Sequence, residues 1–136
     1  MKVVLDTNVL VSGILTPGRV CHRILELVRD GVLIPCVDGR ILEEYEAVFR
    51  YPKLSLIQDP AREIVAFFRG AAIRVGAIPL SCALPDAGDL PFLEVASAAG
   101  AVLVTGNVRH FPAAARGRVT VMTPAGLLDR LRRPPG

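Results

Sequence analysis

Carboxylates without soft partners are the chemical resource of this 136-residue chain. Asp6 directly follows the apolar run Val3-Val4-Leu5. Glu43, Glu44 and Glu46 fall together between Arg40 and Arg50, and Asp86 and Asp89 flank Ala87-Gly88. An aspartate at the end of a buried strand is poorly placed for packing and well placed to hold a cation. Several carboxylates meeting without cysteine or paired histidine suit a hard, oxygen-preferring ion, Mg2+ or Mn2+. Crowded like charges repel, so such a site is strained when empty and relieved when metal fills it. One or two ions there can lower the pKa of a bound water, set it in line with a phosphate and neutralise the leaving oxygen. The chemistry indicated is phosphodiester hydrolysis without a protein nucleophile.

The elements that must position these acids follow from hydrophobic spacing. Residues 3–5 form an unalternated apolar run, the pattern of a buried strand in a parallel sheet. Residues 9–15 turn helical until Thr16-Pro17-Gly18 breaks them. Val20, Ile24, Leu27 and Val28 recur at helical spacing and Gly31 stops that helix. Residues 32–37 read as a second strand, in which Pro35 argues for an edge or irregular position. Asp38 or Gly39 starts a helix that ends at Tyr51-Pro52. Pro60 opens another that runs to about Gly70. Residues 72–78 are expected as strand three and 79–88 as a loop. A helix is expected over 89–99, tolerating Pro91 in its first turn and ending at Gly100. Strands four (101–105) and five (119–122) follow. Thr123 then caps a last helix with Pro124 at its first position, and residues 134–136 are expected as a tail. Alternating strands and helices, with no repeat or dividing linker, imply one domain over 1–133 with a parallel sheet covered on both faces.

In such a sheet, ligands sit beyond the carboxyl ends of the strands, near the switch in strand order. Asp6 ends strand one, and Thr105-Gly106-Asn107 ends strand four. If those strands are neighbours, both tips face one crevice. On the helix over 40–50, Ile41, Leu42, Tyr45, Val48 and Phe49 share an arc at about 100° per residue. Glu43 points opposite and is expected in solvent. Glu44 and Glu46 border the arc on its two sides, and spacing does not choose between them. Asp86 and Asp89 precede a helix, where acids are also stabilised by free N–H groups and the macrodipole.

Cys21, Cys36 and Cys82 form no C-x-x-C pair and have no histidine at zinc-finger spacing, so free thiols in a reducing compartment are expected. No apolar stretch approaches the roughly 18 residues that span a bilayer, and no leader pattern opens the chain. The expectation is a cytoplasmic protein away from membranes. Net charge is +3. Residues 101–136 carry six arginines against the single Asp129, net +5, leaving −2 for the first hundred residues. A basic C-terminal third suits a phosphate-binding rim beside a metal pocket, although Arg130, Arg132 and Arg133 also fit a solvated helix end.

The motifs themselves resemble a known family. Val4-Leu5-Asp6-Thr7-Asn8-Val9-Leu10-Val11-Ser12-Gly13 is similar to the opening motif of PIN domains, most closely to VapC-like ribonucleases, the toxins of toxin–antitoxin systems. The resemblance continues through Ile41-Leu42-Glu43-Glu44-Tyr45, Arg50-Tyr51-Pro52-Lys53 and Asp86-Ala87-Gly88-Asp89-Leu90-Pro91-Phe92-Leu93. It closes at Val104-Thr105-Gly106-Asn107-Val108-Arg109-His110-Phe111-Pro112. It implies a three-layer α/β/α sandwich with a central, mostly parallel five-stranded sheet, and an RNase using Mg2+ or Mn2+. By motif position the first acid is Asp6, the second Glu44 and the third Asp89, with Asp86 as an assisting neighbour. Many members carry a fourth acid where this chain has Asn107, which offers a neutral oxygen but no charge. That departure weighs against a second ion and against vigorous catalysis. The resemblance also implies an RNA substrate, an antitoxin partner inserting a segment into or beside the acidic crevice, and a homodimer.

Around the acids, Asn8 and Ser12 either orient Asp6 or a metal-bound water, or cap the first helix. Thr105 offers a strand-end hydroxyl, Arg109 and His110 can reach phosphate, and Tyr45 and Phe92 read as core. A degenerate PIN domain that binds RNA or a partner and cuts slowly is the rival, kept alive by Asn107. A phosphatase forming an aspartyl-phosphate needs a second aspartate where Asn8 stands, and no G-x-G-x-x-G follows strand one for a dinucleotide.

Overall fold

Val3, Val4 and Leu5 are almost wholly buried because β1 (Lys2–Leu5) is the middle strand of a parallel sheet. The computed structural model describes residues 1–133, so the tail expected over 134–136 lies outside the described residues. After β1 come α1 (Thr7–Leu15), α2 (Val20–Arg29), β2 (Ile34–Val37), α3 (Gly39–Phe49), α4 (Gln58–Ala71) and β3 (Ile73–Arg74). They are followed by α5 (Leu90–Ala99), β4 (Val102–Val104), β5 (Val121–Met122) and α6 (Pro124–Arg132). The strand order is β3-β2-β1-β4-β5, every pairing is parallel, and the architecture is the three-layer α/β/α sandwich expected.

Local chemistry sets the elements. The Asp38 carboxylate accepts the Ile41 N–H at 3.0 Å and starts α3. Along α3, Ile41, Leu42, Tyr45 and Phe49 are buried and Glu43 is exposed, as the helical arc predicts. Gly100 ends α5 at φ +64°, a conformation other residues adopt only with strain. Thr123 Oγ1 accepts the Gly126 N–H at 3.0 Å and Pro124 opens α6. Gly13 lets α1 and α2 close together: a Cβ there would stand 2.5 Å from Leu25 Cδ1. The core centres on Tyr45, whose ring meets Phe68 edge-on at 5.7 Å and Phe92 at 6.4 Å. Aromatic pairs of this kind add about 0.5–1.5 kcal/mol beyond their buried area. Tyr45 and Phe92 are thus core, as their spacing predicts.

Three expectations need correction. β2 is interior, not an edge strand, and its Pro35 is opposite Val3. The N–H of Ile34 points to β1, donating to the Met1 carbonyl at 2.8 Å. Alternation therefore turns the Pro35 nitrogen toward β3, which pairs only from Cys36 onward, and no ladder bond is lost. β3 covers two residues rather than the span 72–78. The Val75 N–H still bonds the Val37 carbonyl, but beyond Gly76 the Leu80 N–H is taken by the Glu94 carboxylate at 2.7 Å, which carries the chain over α5 instead. Between α3 and α4, residues Pro52–Ile57 form a 3-10 turn that spacing does not reveal, and α4 begins at Gln58 rather than Pro60. The Gln58 amide donates to the Phe49 and Leu54 carbonyls at 2.6 and 2.9 Å, tying that turn to the end of α3. Among the described residues no helix is long and apolar enough to cross a membrane.

Candidate active site

β1 is flanked by β2 and β4, so the strand order switches between β1 and β4 and a crevice opens beyond their carboxyl ends. Leu5 pairs with Val104, and the Asp6 N–H donates to the Val104 carbonyl at 2.9 Å. Asp6 and Thr105, 99 positions apart, are thereby neighbours. Thr105 Oγ1 donates to Asp6 Oδ2 at 2.8 Å, and Asn8 Nδ2 approaches the same oxygen at 3.5 Å. Asn8 Oδ1 accepts the Gly106 N–H at 3.1 Å, so Asn8 bridges the two strand tips rather than capping α1. Asp6 occupies the N-terminal end of α1 without a side-chain cap bond there. It is 6% exposed, and burial pushes its carboxyl above the ordinary value, with Thr105, the Thr7 backbone N–H and His110 pulling back.

α3 crosses this rim. Tyr45 Oη donates to the Leu5 carbonyl at 2.5 Å, pinning the helix over the last residue of β1. Its hydroxyl is pushed well above the usual tyrosine range by burial and by the nearby Asp6 and Glu44 charges. Glu44 faces the rim, where Thr7 Oγ1 lies 3.3 Å from its Oε2. Glu46 turns away to pair with Arg69 of α4. The ambiguity left by helical spacing is a matter of which side faces the sheet end, and Glu44 has it.

The two aspartates before α5 part company. Asp86 Oδ1 accepts the Gly88 N–H at 2.8 Å and is engaged in its own turn. Asp89 makes no cap bond. Its Oδ2 is buried and has no hydrogen-bond partner, although His110 Nδ1 stands 3.0 Å away. The two observations agree if the approach is close but falls short of hydrogen-bond alignment. Burial, then Asp6 and Asp86, push the Asp89 carboxyl up, against the pull of His110. His110 Nε2 meets Asn107 Nδ2 at 2.8 Å, so the histidine links Asn107 to Asp89. The Asn107 N–H donates to Thr105 Oγ1 at 3.0 Å.

Asp6, Asp89, Asn107, Thr105, Asn8 and His110 thus stand at one rim, with Glu44 beside them across Thr7. Ser12, one turn further along α1, is half-buried, and no described residue hydrogen-bonds its hydroxyl. Among the described residues no three of His, Cys, Asp and Glu already stand as a group that could hold an ion. The donor set still fits a hard cation: it is oxygen-rich, burial raises both aspartates and Asp6 raises Asp89 further, and the buried Asp89 Oδ2 lacks a partner. Asp6 and Asp89 would hold the ion, with Glu44 joining by leaving Thr7.

The basic C-terminal third does not rim this site as a whole. Arg109 is exposed next to Asn107. Arg116 binds the Phe111 carbonyl at 2.6 Å, and Arg133 pairs with Asp129 at 3.0 Å. Arg118 and Arg130 line a cavity with Gly100, Ala101 and Thr120, at the amino ends of β4 and β5, the opposite end of the sheet. Sequence reasoning also passed over Glu94, which is 3% exposed and binds Arg40 Nη1 and the Leu80 N–H, both at 2.7 Å. A lone carboxylate inside the apolar run Leu90-Pro91-Phe92-Leu93-Glu94-Val95-Ala96 was the available signal. The three cysteines are free.

A parallel sheet whose switch point gathers the buried Asp6 and the partly buried Asp89 defines an open α/β protein with a polar crevice at its strand tips. Residues 2–109 match the PIN domain family, and the chain belongs to it. It is 26% identical over 110 residues to the uncharacterized protein MJ1680 of Methanocaldococcus jannaschii, a match covering 79% of this chain and 71% of that one. Its fold resembles a chain in the crystal structure of VapBC2 from Rickettsia felis bound to a promoter DNA fragment. There the TM-score is 0.61 at 19% identity, over 90% of this chain and 98% of that one. It also resembles a chain of FitAB bound to the IR36 DNA fragment, with TM-score 0.58 and 17% identity over 90% and 94% of the two chains.

Proposed function

We propose that this PIN domain is a Mg2+- or Mn2+-dependent endoribonuclease and the toxin component of a type II toxin–antitoxin pair. One observation carries the reading: Asp6 and Asp89 are drawn into the same crevice at the β1/β4 switch, and the buried Asp89 Oδ2 is left without a hydrogen bond. A divalent ion held there would supply an activated water and offset the charge of a phosphodiester. The chain's own contribution is positional. Thr105 and Asn8 fix the Asp6 carboxylate, Tyr45 fixes α3 so that Glu44 borders it, and on this reading the exposed Arg109, with His110 beside it, would meet a phosphate. The complexes named VapBC2 and FitAB support a partner protein for this fold, and we extend that to an antitoxin here. A cytoplasmic homodimer, with residues 1–133 as one unit, completes the proposal.

The test is cleavage of single-stranded RNA with Mg2+ or Mn2+, against EDTA, by the wild-type chain, Asp6→Asn and Asp89→Asn. Metal-dependent cutting that falls at least about a hundredfold in both variants is expected, since each removes a charged ligand. Cutting that persists in EDTA, or is indifferent to both changes, would sink the proposal. Asn107 favours one rival reading, a binding module that cuts slowly, because its amide is engaged with His110 and brings no charge. That rival predicts metal-independent RNA binding and at most slow cutting, with the three proteins alike.

A further inference from the structure

The acidic rim continues into a groove that its own chemistry does not use. Thr7 and Asn8, which follow Asp6, line one end of a cavity of about 430 Å³. Val11 and Leu15 lie along α1, and Tyr51 and Lys53 form the far side. From Asn8 to Leu15 is seven residues, about 10 Å of helix. Tyr51 is 49% exposed, unlike the buried Tyr45, and Lys53 Nζ sits over one face of its ring, 6.0 Å from the centroid, which leaves the other face for a base. No carboxylate of a described residue lies in ion-pair distance of Lys53. The Ser12 hydroxyl, also without a partner among the described residues, lines the same groove.

We propose that this groove seats an unpaired nucleobase of single-stranded RNA beside the acids, stacked on Tyr51, with a flanking phosphate on Lys53; this rests on the nuclease reading above. Single strands are held by aromatic faces under the bases and cations along the backbone, with hydrogen-bonding groups at the base edge. The groove has each of these: a half-exposed aromatic, a cation with no carboxylate partner among the described residues, and the Ser12 hydroxyl at the edge. Charge and the exposed aromatic together select RNA over a peptide. An apolar peptide would leave Lys53 uncompensated, and an acidic one would bring no flat base to stack on Tyr51. The seat deepens the proposed function by giving Tyr51 and Lys53 roles in choosing the substrate.

The test is equilibrium binding of a fluorescein-labelled single-stranded RNA to the full chain in Mg2+. It uses an Asp6→Asn background, so that the probe stays intact. Tyr51→Ala is expected to weaken binding about tenfold, the scale of one lost base stack, and Tyr51→Phe to retain it. Lys53→Ala should flatten the dependence of log K on log salt by about 0.7. Duplex RNA of the same sequence should not distinguish Tyr51→Ala from its parent. Circular dichroism melts check that each variant folds, which the exposure of both side chains favours. Parental RNA binding by both Tyr51→Ala and Lys53→Ala overturns the proposal. So does a change in self-association, by light scattering, with RNA binding unaltered, which assigns the groove to a second copy. If the wild-type chain never cuts RNA while the Tyr51 effect persists, the base seat stands and the nuclease reading fails. Metal-dependent cutting with no Tyr51 effect is the reverse.

Discussion

Thr105→Val removes one hydroxyl from the rim and keeps the side chain's shape. Thr105 is fully buried; its Oγ1 donates to Asp6 Oδ2 at 2.8 Å and accepts the Asn107 N–H at 3.0 Å. A hydrogen bond to an ionised carboxylate contributes about 1.5–3 kcal/mol and a neutral one about 0.5–1.5 kcal/mol. The new methyl returns about 0.8 kcal/mol by burial, and water can reach the half-buried Asn107. The net loss at neutral pH is about 2 kcal/mol, or about 6–8 °C in Tm for a chain of this size. The loss must depend on pH. The folded Asp6 carboxyl lies above its ordinary value of 3.8, so between the two values the folded chain binds more protons than the unfolded one. Stability is therefore highest below the unfolded value, falls as pH rises through the window, and stays reduced above it. Thr105 limits that fall, because its hydrogen bond lowers the folded pKa. Without it the carboxyl climbs further and the penalty at neutral pH deepens. Thermal melts in EDTA at about pH 4 and about pH 8 should show a small difference between wild type and Thr105→Val at the lower pH and the full difference at the higher. Thr105→Ser should stay near wild type at both. An equal loss at the two pH values, or a serine variant as unstable as the valine one, would refute the coupling of Thr105 to the Asp6 charge.

Two other changes probe the rim and its support. Asn107→Asp adds a fourth carboxylate and removes the amide that meets His110; it should tighten Mn2+ binding by about tenfold in calorimetry and lower Tm in EDTA, and unchanged affinity would show that position 107 does not face the ion. Gly13→Ala puts a Cβ 2.5 Å from Leu25 Cδ1 and 3.0 Å from the Cys21 carbonyl; overpacking there should cost about 1–3 kcal/mol, read as a lower urea midpoint, and a midpoint equal to wild type would mean that α1 and α2 separate without penalty.

What was legible in the sequence is what local pattern controls. Val3-Val4-Leu5 announced a strand buried on both faces, Asp38 and Thr123 announced helix starts, and Gly100 a helix end. Asp6 could be assigned to a strand tip because a charge directly after such a run has nowhere to go but the sheet's end. The pairing of that tip with Thr105 could be stated only conditionally, since it depends on which strands are neighbours. Pro35 misled because its cost depends on what lies across from its nitrogen, and β3 pairs with β2 only beyond that point. The helix α3 shows the same limit: spacing put Glu44 and Glu46 on two borders of one arc, and only the packing of α4 makes one of them a partner for Arg69. The basic C-terminal third looked like one surface in sequence, but the turn after β4 and the position of β5 divide it between opposite ends of the sheet.

Asp6 and Asp89 also explain why a site of this kind belongs at a strand switch. Their carboxyls are held up chiefly by burial, and Asp89 further by Asp6 itself. Ionised at neutral pH, both destabilise the apo fold, and neither can relax by turning to solvent. Asp6 is fixed by the β1–β4 ladder and Thr105, and the Asp89 backbone by its N–H to the Asp86 carbonyl at 3.1 Å. His110 Nδ1 stands 3.0 Å from Asp89 and pulls its carboxyl part of the way back down. The compensation comes from elsewhere, in the fully buried Tyr45, Phe68 and Phe92 beneath the rim and in the Tyr45 hydroxyl that ties α3 to Leu5. If the proposed cation binds there, a rigid core that keeps two reluctant anions together would leave it little reorganisation to drive, and the stability spent at the rim would reappear as affinity for the ion.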